Sequence, residues 1–158
     1  MPAGSDATAP TTLPRTWRPL GARVVAALAA VVLVATMVFF WLLLPASVQD
    51  RFSALQRVTL IAFFAAMVVA LYALIRTSAR AEVGGLTIVN GYKTWRFAWA
   101  EIVRVSFNAN RPWALLDLAD GGTVVVMAIQ YADGARARQS ARELAAVIAE
   151  RTRTECDE

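Results

Sequence analysis

From Val24 to Leu44 the chain runs through 21 residues, VVAALAAVVLVATMVFFWLLL, without a charged side chain. At about 1.5 Å per residue a helix of that length reaches roughly 32 Å, the thickness of a bilayer's hydrocarbon core. A half-buried soluble helix would place polar residues on its outer face at every turn, so the segment predicts a transmembrane span. Arg15, Arg18 and Arg23 precede it, Trp17 and Trp41 lie near its ends as interfacial anchors, and Pro45 marks its exit. A cleaved signal peptide would carry a shorter apolar region of about 7–15 residues. Here a second uncharged run follows instead, Val58–Ile75, whose 18 residues span roughly 27 Å. These runs account for a hydrophobic content of 58% and a mean hydropathy of +0.48, high for 158 residues of soluble protein.

The 13-residue connection PASVQDRFSALQR is short, so the spans form an antiparallel hairpin. Alanines recur every fourth residue in both, at Ala22, Ala26 and Ala30 and at Ala62, Ala66 and Ala70. Such stripes allow close helix packing, within the hairpin or in a homo-oligomer, although an alanine-rich composition also produces the spacing. Three arginines before the first span and Arg76 and Arg80 after the second outweigh Arg51 and Arg57 between them. The positive-inside rule then puts both termini in the cytoplasm of a bacterial inner membrane.

The net charge is +4, with five cations against two anions in residues 1–75 and eleven against ten in the rest. The excess flanks the apolar runs, a distribution that suits anionic lipid better than nucleic acid. With no histidine, the commonest general base and metal ligand is missing, and a single Cys156 excludes an internal disulfide or a cysteine zinc site. No P-loop, nucleophile elbow or paired acid and base is present, so neither an enzyme nor a cofactor is expected.

Past Arg80 the hydrophobic period changes to two. Gly85–Val89 and Tyr92–Trp99 flank Asn90-Gly91, a strong hairpin signal. In the second strand Trp95, Phe97 and Trp99 alternate with polar positions and face a core. Ile102–Phe107 reads as a third strand with Val103, Val105 and Phe107 on one face, and Trp113–Ala119 and Thr123–Ala128 form a second hairpin around Asp120-Gly121-Gly122. Trp99 and Trp113 read as core residues. Asp133 can cap a closing amphipathic helix whose apolar stripe is Ala137, Ala141, Leu144, Ala145 and Ile148.

Gly85-Leu86-Thr87-Ile88-Val89-Asn90, Phe97-Ala98-Trp99-Ala100-Glu101-Ile102, Arg111-Pro112-Trp113, Asp120-Gly121 and Ala128-Ile129-Gln130, with Arg18-Pro19 upstream, carry a resemblance. In these stretches the chain resembles the low molecular weight protein antigen 6 family, small actinobacterial membrane proteins with a pleckstrin-homology-like (PH-like) domain. The resemblance implies a membrane α-helical hairpin plus an α+β domain, a PH-like curved antiparallel sheet or partial barrel with a C-terminal amphipathic helix. It implies no reaction and no ligand. The expected organisation is a disordered leader at 1–17, the hairpin at 18–80 with spans at about 24–44 and 58–75, the PH-like domain at 81–154 and a tail at 155–158.

Candidate contacts for anionic lipid or a partner are Arg76 and Arg80 beside the bilayer and Lys93, Arg96, Arg104 and Arg111 on the sheet's outer face. A cation near an anionic surface contributes on the order of 1 kcal/mol. Topology signalling and ordinary solvated strand positions account for the same residues. The expected function is a membrane-tethered, non-catalytic interaction module for a protein partner. The alternative is an anionic-lipid-sensing or envelope-associated structural protein.

Overall fold

The computed structural model describes residues 12–156, with side chains through residue 152. Both apolar runs are helices, α1 (Leu20–Leu43) and α3 (Ala54–Arg76), each long and apolar enough to cross a membrane. Each starts four residues before the expected span, at 20 rather than 24 and at 54 rather than 58. For α3 the cause is local: Ser53 Oγ accepts from the Gln56 N–H at 3.3 Å and Gln56 Oε1 accepts from the Ser53 N–H at 2.9 Å, a reciprocal cap. The connection holds one helical turn, α2 (Ala46–Gln49). From it Gln49 Nε2 donates to the carbonyls of Trp41 and Leu44, at 2.9 and 3.0 Å, closing the end of α1. Arg57 donates to the Gln49 carbonyl at 2.8 Å with its guanidinium 5.7 Å from the Trp41 ring centroid.

Only one of the two alanine stripes lies inward. Ala26 is buried and Ala22 and Ala30 are half-buried, but Ala62, Ala66 and Ala70 are exposed. On α3 the sheltered stripe is Phe64, Val68, Leu71 and Ile75, so the two alanine stripes do not face each other.

The strands are β1 (Arg15–Trp17), β2 (Ser78–Glu82), β3 (Gly85–Asn90), β4 (Lys93–Phe97), β5 (Ile102–Ser106), β6 (Trp113–Leu118) and β7 (Thr123–Gln130). They form two antiparallel sheets, β1-β2-β3-β4 and β5-β6-β7, closed by α4 (Ala135–Cys156). This is the expected open, curved antiparallel arrangement with a C-terminal helix. The sequence reading of about five strands lacks β1 and β2. The leader expected at 1–17 lies outside the described residues as far as residue 11, but Arg15–Trp17 pairs with Ala79–Ala81 across the whole helical hairpin. β2 reads SARAE, with only Ala79 and Ala81 facing inward, both fully buried; two methyl groups give no hydrophobic alternation to recognise. The domain thus takes in Arg15–Trp17 and Ser78–Arg80, which boundaries at 17 and 81 leave out, and α4 runs through residues 155 and 156 of the expected tail.

Further details depart from the sequence reading. The first hairpin turns on Gly91-Tyr92 rather than Asn90-Gly91, because Asn90 pairs with Lys93 and Gly91 takes the first central position at φ 61°. Trp99 lies beyond β4, in a 3₁₀ turn (Trp99–Glu101), buried, with its indole N–H shared between the carbonyls of Glu82 at 3.2 Å and Val83 at 3.0 Å. Val103 is 59% exposed because the β5–β6 register shifts between Ile102 and Arg104, and Ile102 takes the core position. Trp113 lies on the outward face of β6, because Ala114 and Leu116 fill the inward one, and it is 36% exposed. On α4 the buried stripe is Ala137, Ala141, Leu144, Val147 and Ile148, with Ala145 exposed.

Asn90 ends β3 and joins the sheets. Its Nδ2 donates to the Val125 carbonyl at 2.6 Å and its Oδ1 accepts from the Met127 N–H at 3.2 Å. The side-chain amide thereby fills the place a strand residue would take along β7. Asn90→Leu keeps comparable bulk but leaves both backbone groups without their partner. It is expected to cost about 1–3 kcal/mol, read as a lower Tm of the detergent-solubilised chain; an unchanged Tm would show that the sheets hold together without the amide.

Candidate functional site

Register decides how the six candidate cations are arranged. Thr16 faces Arg80, Arg80 faces Thr87 and Thr87 faces Arg96, so these side chains form one row across β1 to β4. Ala79, Ala81, Leu86 and Ile88 are buried on the opposite face, which puts the row outside. Neighbouring strands lie about 4.8 Å apart, so Arg80 and Arg96 flank Thr87 across roughly 10 Å. They line a shallow groove of about 560 Å³ with Glu82 and Phe97. Arg80 Nε pairs with Glu82 Oε1 at 2.8 Å while both stay about half-exposed, an arrangement that contributes little to stability.

The other four candidates lie elsewhere. Arg76 closes α3 with its guanidinium 5.8 Å from the Tyr92 ring centroid, and Lys93 follows at the start of β4. Arg111 is exposed in the β5–β6 connection. Arg104 Nε donates to Asp117 Oδ2 at 2.7 Å, and Ser106 Oγ donates to the same oxygen at 3.3 Å. The Arg104 hydrogen bond and charge hold the Asp117 carboxyl below the usual aspartate value.

The base of the helical hairpin is where the domain and the helices meet. Pro19 stands at the N-cap of α1 and provides no side-chain acceptor. That acceptor is Asp133, whose Oδ2 takes the Leu20 N–H at 3.2 Å and whose Oδ1 takes the Gly21 N–H at 3.1 Å. Asp133 therefore caps α1, not α4: it ends a 3₁₀ turn (Tyr131–Asp133), and Gly134 at φ 58° breaks the path into α4. A Cβ on Gly21 would lie 2.7 Å from Asp133 Oδ1, so an alanine there would push the carboxylate aside. Nearby, Glu143 on α4 receives Arg15 at 2.8 Å and the Trp17 indole N–H at 3.1 Å on Oε2, and Gln139 at 3.1 Å on Oε1. Across the base the Tyr92 hydroxyl donates to the Val69 carbonyl of α3, and Thr77 Oγ accepts from the Gly91 N–H at 3.4 Å. A proline at an N-cap was the one local hint that α1 needs an acceptor from elsewhere; nothing local points to Asp133.

Residues 76–146 match a family model described as a bacterial PH domain, which takes in β2 through the first half of α4 and leaves out β1, α1, α2 and all of α3 but Arg76. Over 62 residues the chain is 39% identical to uncharacterised proteins of Mycobacterium tuberculosis and Mycobacterium bovis, a stretch covering 39% of this chain and 40% of each relative. The matched stretch thus spans about two fifths of the relatives' length. No solved structure matches. The two sheets and closing helix over the matched residues are a PH-like α+β fold.

Asp133→Ala removes the cap on α1 and is expected to cost about 1 kcal/mol, whereas Gly21→Ala pushes the carboxylate aside while gaining alanine's better helix propensity, so its net cost is smaller. Hydrogen exchange should rise at the amides of residues 20 and 21 in both variants, and unchanged exchange would refute the cap. For Asp117 the lowered carboxyl favours the folded state above the ordinary aspartate pKa of about 3.9 and is lost as pH falls through the lowered value. The stability gap between the native chain and Arg104→Ala should therefore be present at neutral pH and shrink below about pH 4. Denaturant titrations at both pH values measure it; a gap independent of pH would remove the pair from the account.

Proposed function

We propose that the protein is a membrane-tethered, non-catalytic PH-like interaction module at the cytoplasmic face of a bacterial inner membrane. On this reading α1 and α3 are the membrane anchor and both termini are cytoplasmic, following the arginines that flank the hairpin. The finer kinship, with the low molecular weight protein antigen 6 family, is part of the same reading. The observation that carries it is the joint at the hairpin base: β1 before α1 pairs with β2 after α3, and Asp133 holds the first turn of α1. A domain joined in this way cannot swing on a linker. It presents the row Arg80, Thr87 and Arg96 at a constant height and angle to the helices, which is useful to a partner confined to the same surface. The basic groove favours an acidic protein segment.

Two measurements test this. A photo-crosslinking residue at Thr87 should capture one discrete protein in cells, and Arg80→Glu with Arg96→Glu should abolish the product. A crosslinker at exposed Arg142 on α4 should not give it. Equal capture at both positions, or none at Thr87, would sink the reading. A membrane-impermeant maleimide should label Cys156 only after permeabilisation; labelling in intact cells would reverse the orientation.

A further inference from the structure

We propose that the groove between β1 and the start of α4 binds the phosphate of an anionic glycerophospholipid headgroup. The groove measures about 520 Å³ and is lined by Thr16, Arg18, Arg136 and Ser140 together with the Arg15–Glu143 pair. Three guanidinium groups face one carboxylate there. That carboxylate is already committed, with Oε2 held by Arg15 and Trp17 and Oε1 by Gln139. Arg18 and Arg136 are exposed, and among the described residues neither has an ion-pair partner. The two arginines supply planar forks that suit phosphate oxygens, and the Ser140 hydroxyl adds a donor.

Position selects the source of the phosphate. Arg18 stands two residues before Leu20, where α1 begins, and Arg136 three residues after Asp133, whose carboxylate holds the first N–H groups of α1. The groove therefore opens level with the start of an apolar helix. Resting on the reading that α1 and α3 span a bilayer, that level is the headgroup layer, where cations gain most from anionic lipid. The Arg80–Arg96 groove, by contrast, lies on the sheet's outer face and reaches Gly84 in the β2–β3 turn, at the end of β2 away from Thr77 and α3.

The test uses the full chain in detergent micelles, titrated with phosphatidylglycerol or phosphatidylcholine, with bound lipid counted by native mass spectrometry. One phosphatidylglycerol should bind per chain at least 10-fold more tightly than phosphatidylcholine. Arg18→Gln with Arg136→Gln should weaken it about 30-fold, the loss expected for two cations at an anionic surface. Arg80→Gln with Arg96→Gln should leave it unchanged. Equal binding of the two lipids, native-like binding by the Arg18 and Arg136 double variant, or an equal loss in the Arg80 and Arg96 variant would each overturn the site. Soluble glycerol 1-phosphate should compete only at far higher concentration, and equal competition would overturn the lipid as the source. Alkaline carbonate extraction of proteoliposomes separates the underlying reading: a chain that resists extraction but shows no lipid preference refutes the groove alone, and a chain that is released refutes both.

Discussion

The first turn of α1 presents backbone N–H groups that nothing local can accept, because Pro19 precedes them and no acidic residue lies among them. A helix N-terminus also carries a partial positive charge. Asp133, 112 residues further along the chain from Gly21, answers both needs with one carboxylate. Much else follows from that contact. The 3₁₀ turn that carries Asp133 comes to the foot of α1, α4 starts beside it, and β1 lies close enough for Arg15 and Trp17 to reach Glu143. On the other side Tyr92 and Gly91 lean on the last turns of α3. The helical pair is thus gripped at both of its feet.

Arginine does different work according to what stands opposite. Arg104 meets Asp117 across β5 and β6, Arg80 meets its own strand neighbour Glu82, Arg76 covers an aromatic ring and Arg57 closes a turn. A sequence shows the charges but not the pairing, and six candidates that look equivalent divide into separate groups. The row formed by Arg80, Thr87 and Arg96 depends on strand register, which only becomes readable once β2 is known to exist.

What could be read from the residues was whatever repeats with a period. Two uncharged runs gave two helices, alternation after Gly85 gave the central strands, and the spacing from Ala137 to Ile148 gave the closing helix. The failures have physical causes. Val103 turns outward at a shift in register, which interrupts the alternation that sequence reading extrapolates, and Trp113 takes the outward face of β6 because Ala114 and Leu116, the smaller and less conspicuous pair, face the core. Ala79 and Ala81 are core residues by position rather than by size. Asp133 looked like a cap for the helix that follows it in sequence, and its true partner is distant because capping depends on geometry, which a tight turn at Gly134 redirects. Of the site, the residue types were visible and their grouping was not.

In register, Trp17 and Ala79 are opposite one another, so the chain leaves the sheet and returns to it at neighbouring points. Topologically the whole helical pair is an insertion in the connection of a β-hairpin. A chain in which residues 20–76 are replaced by a short turn would retain the residues of every strand pairing, of the Glu143 contacts and of the buried core cluster, and would lose the α1 partners of Asp133 and the α3 partners of Tyr92. A fragment that starts at β2, however natural that boundary looks from the sequence, would expose the edge of β2 and leave the place of buried Trp17 empty. The separable unit of this protein is discontinuous, and its N-terminal strand is made before the hairpin that interrupts it.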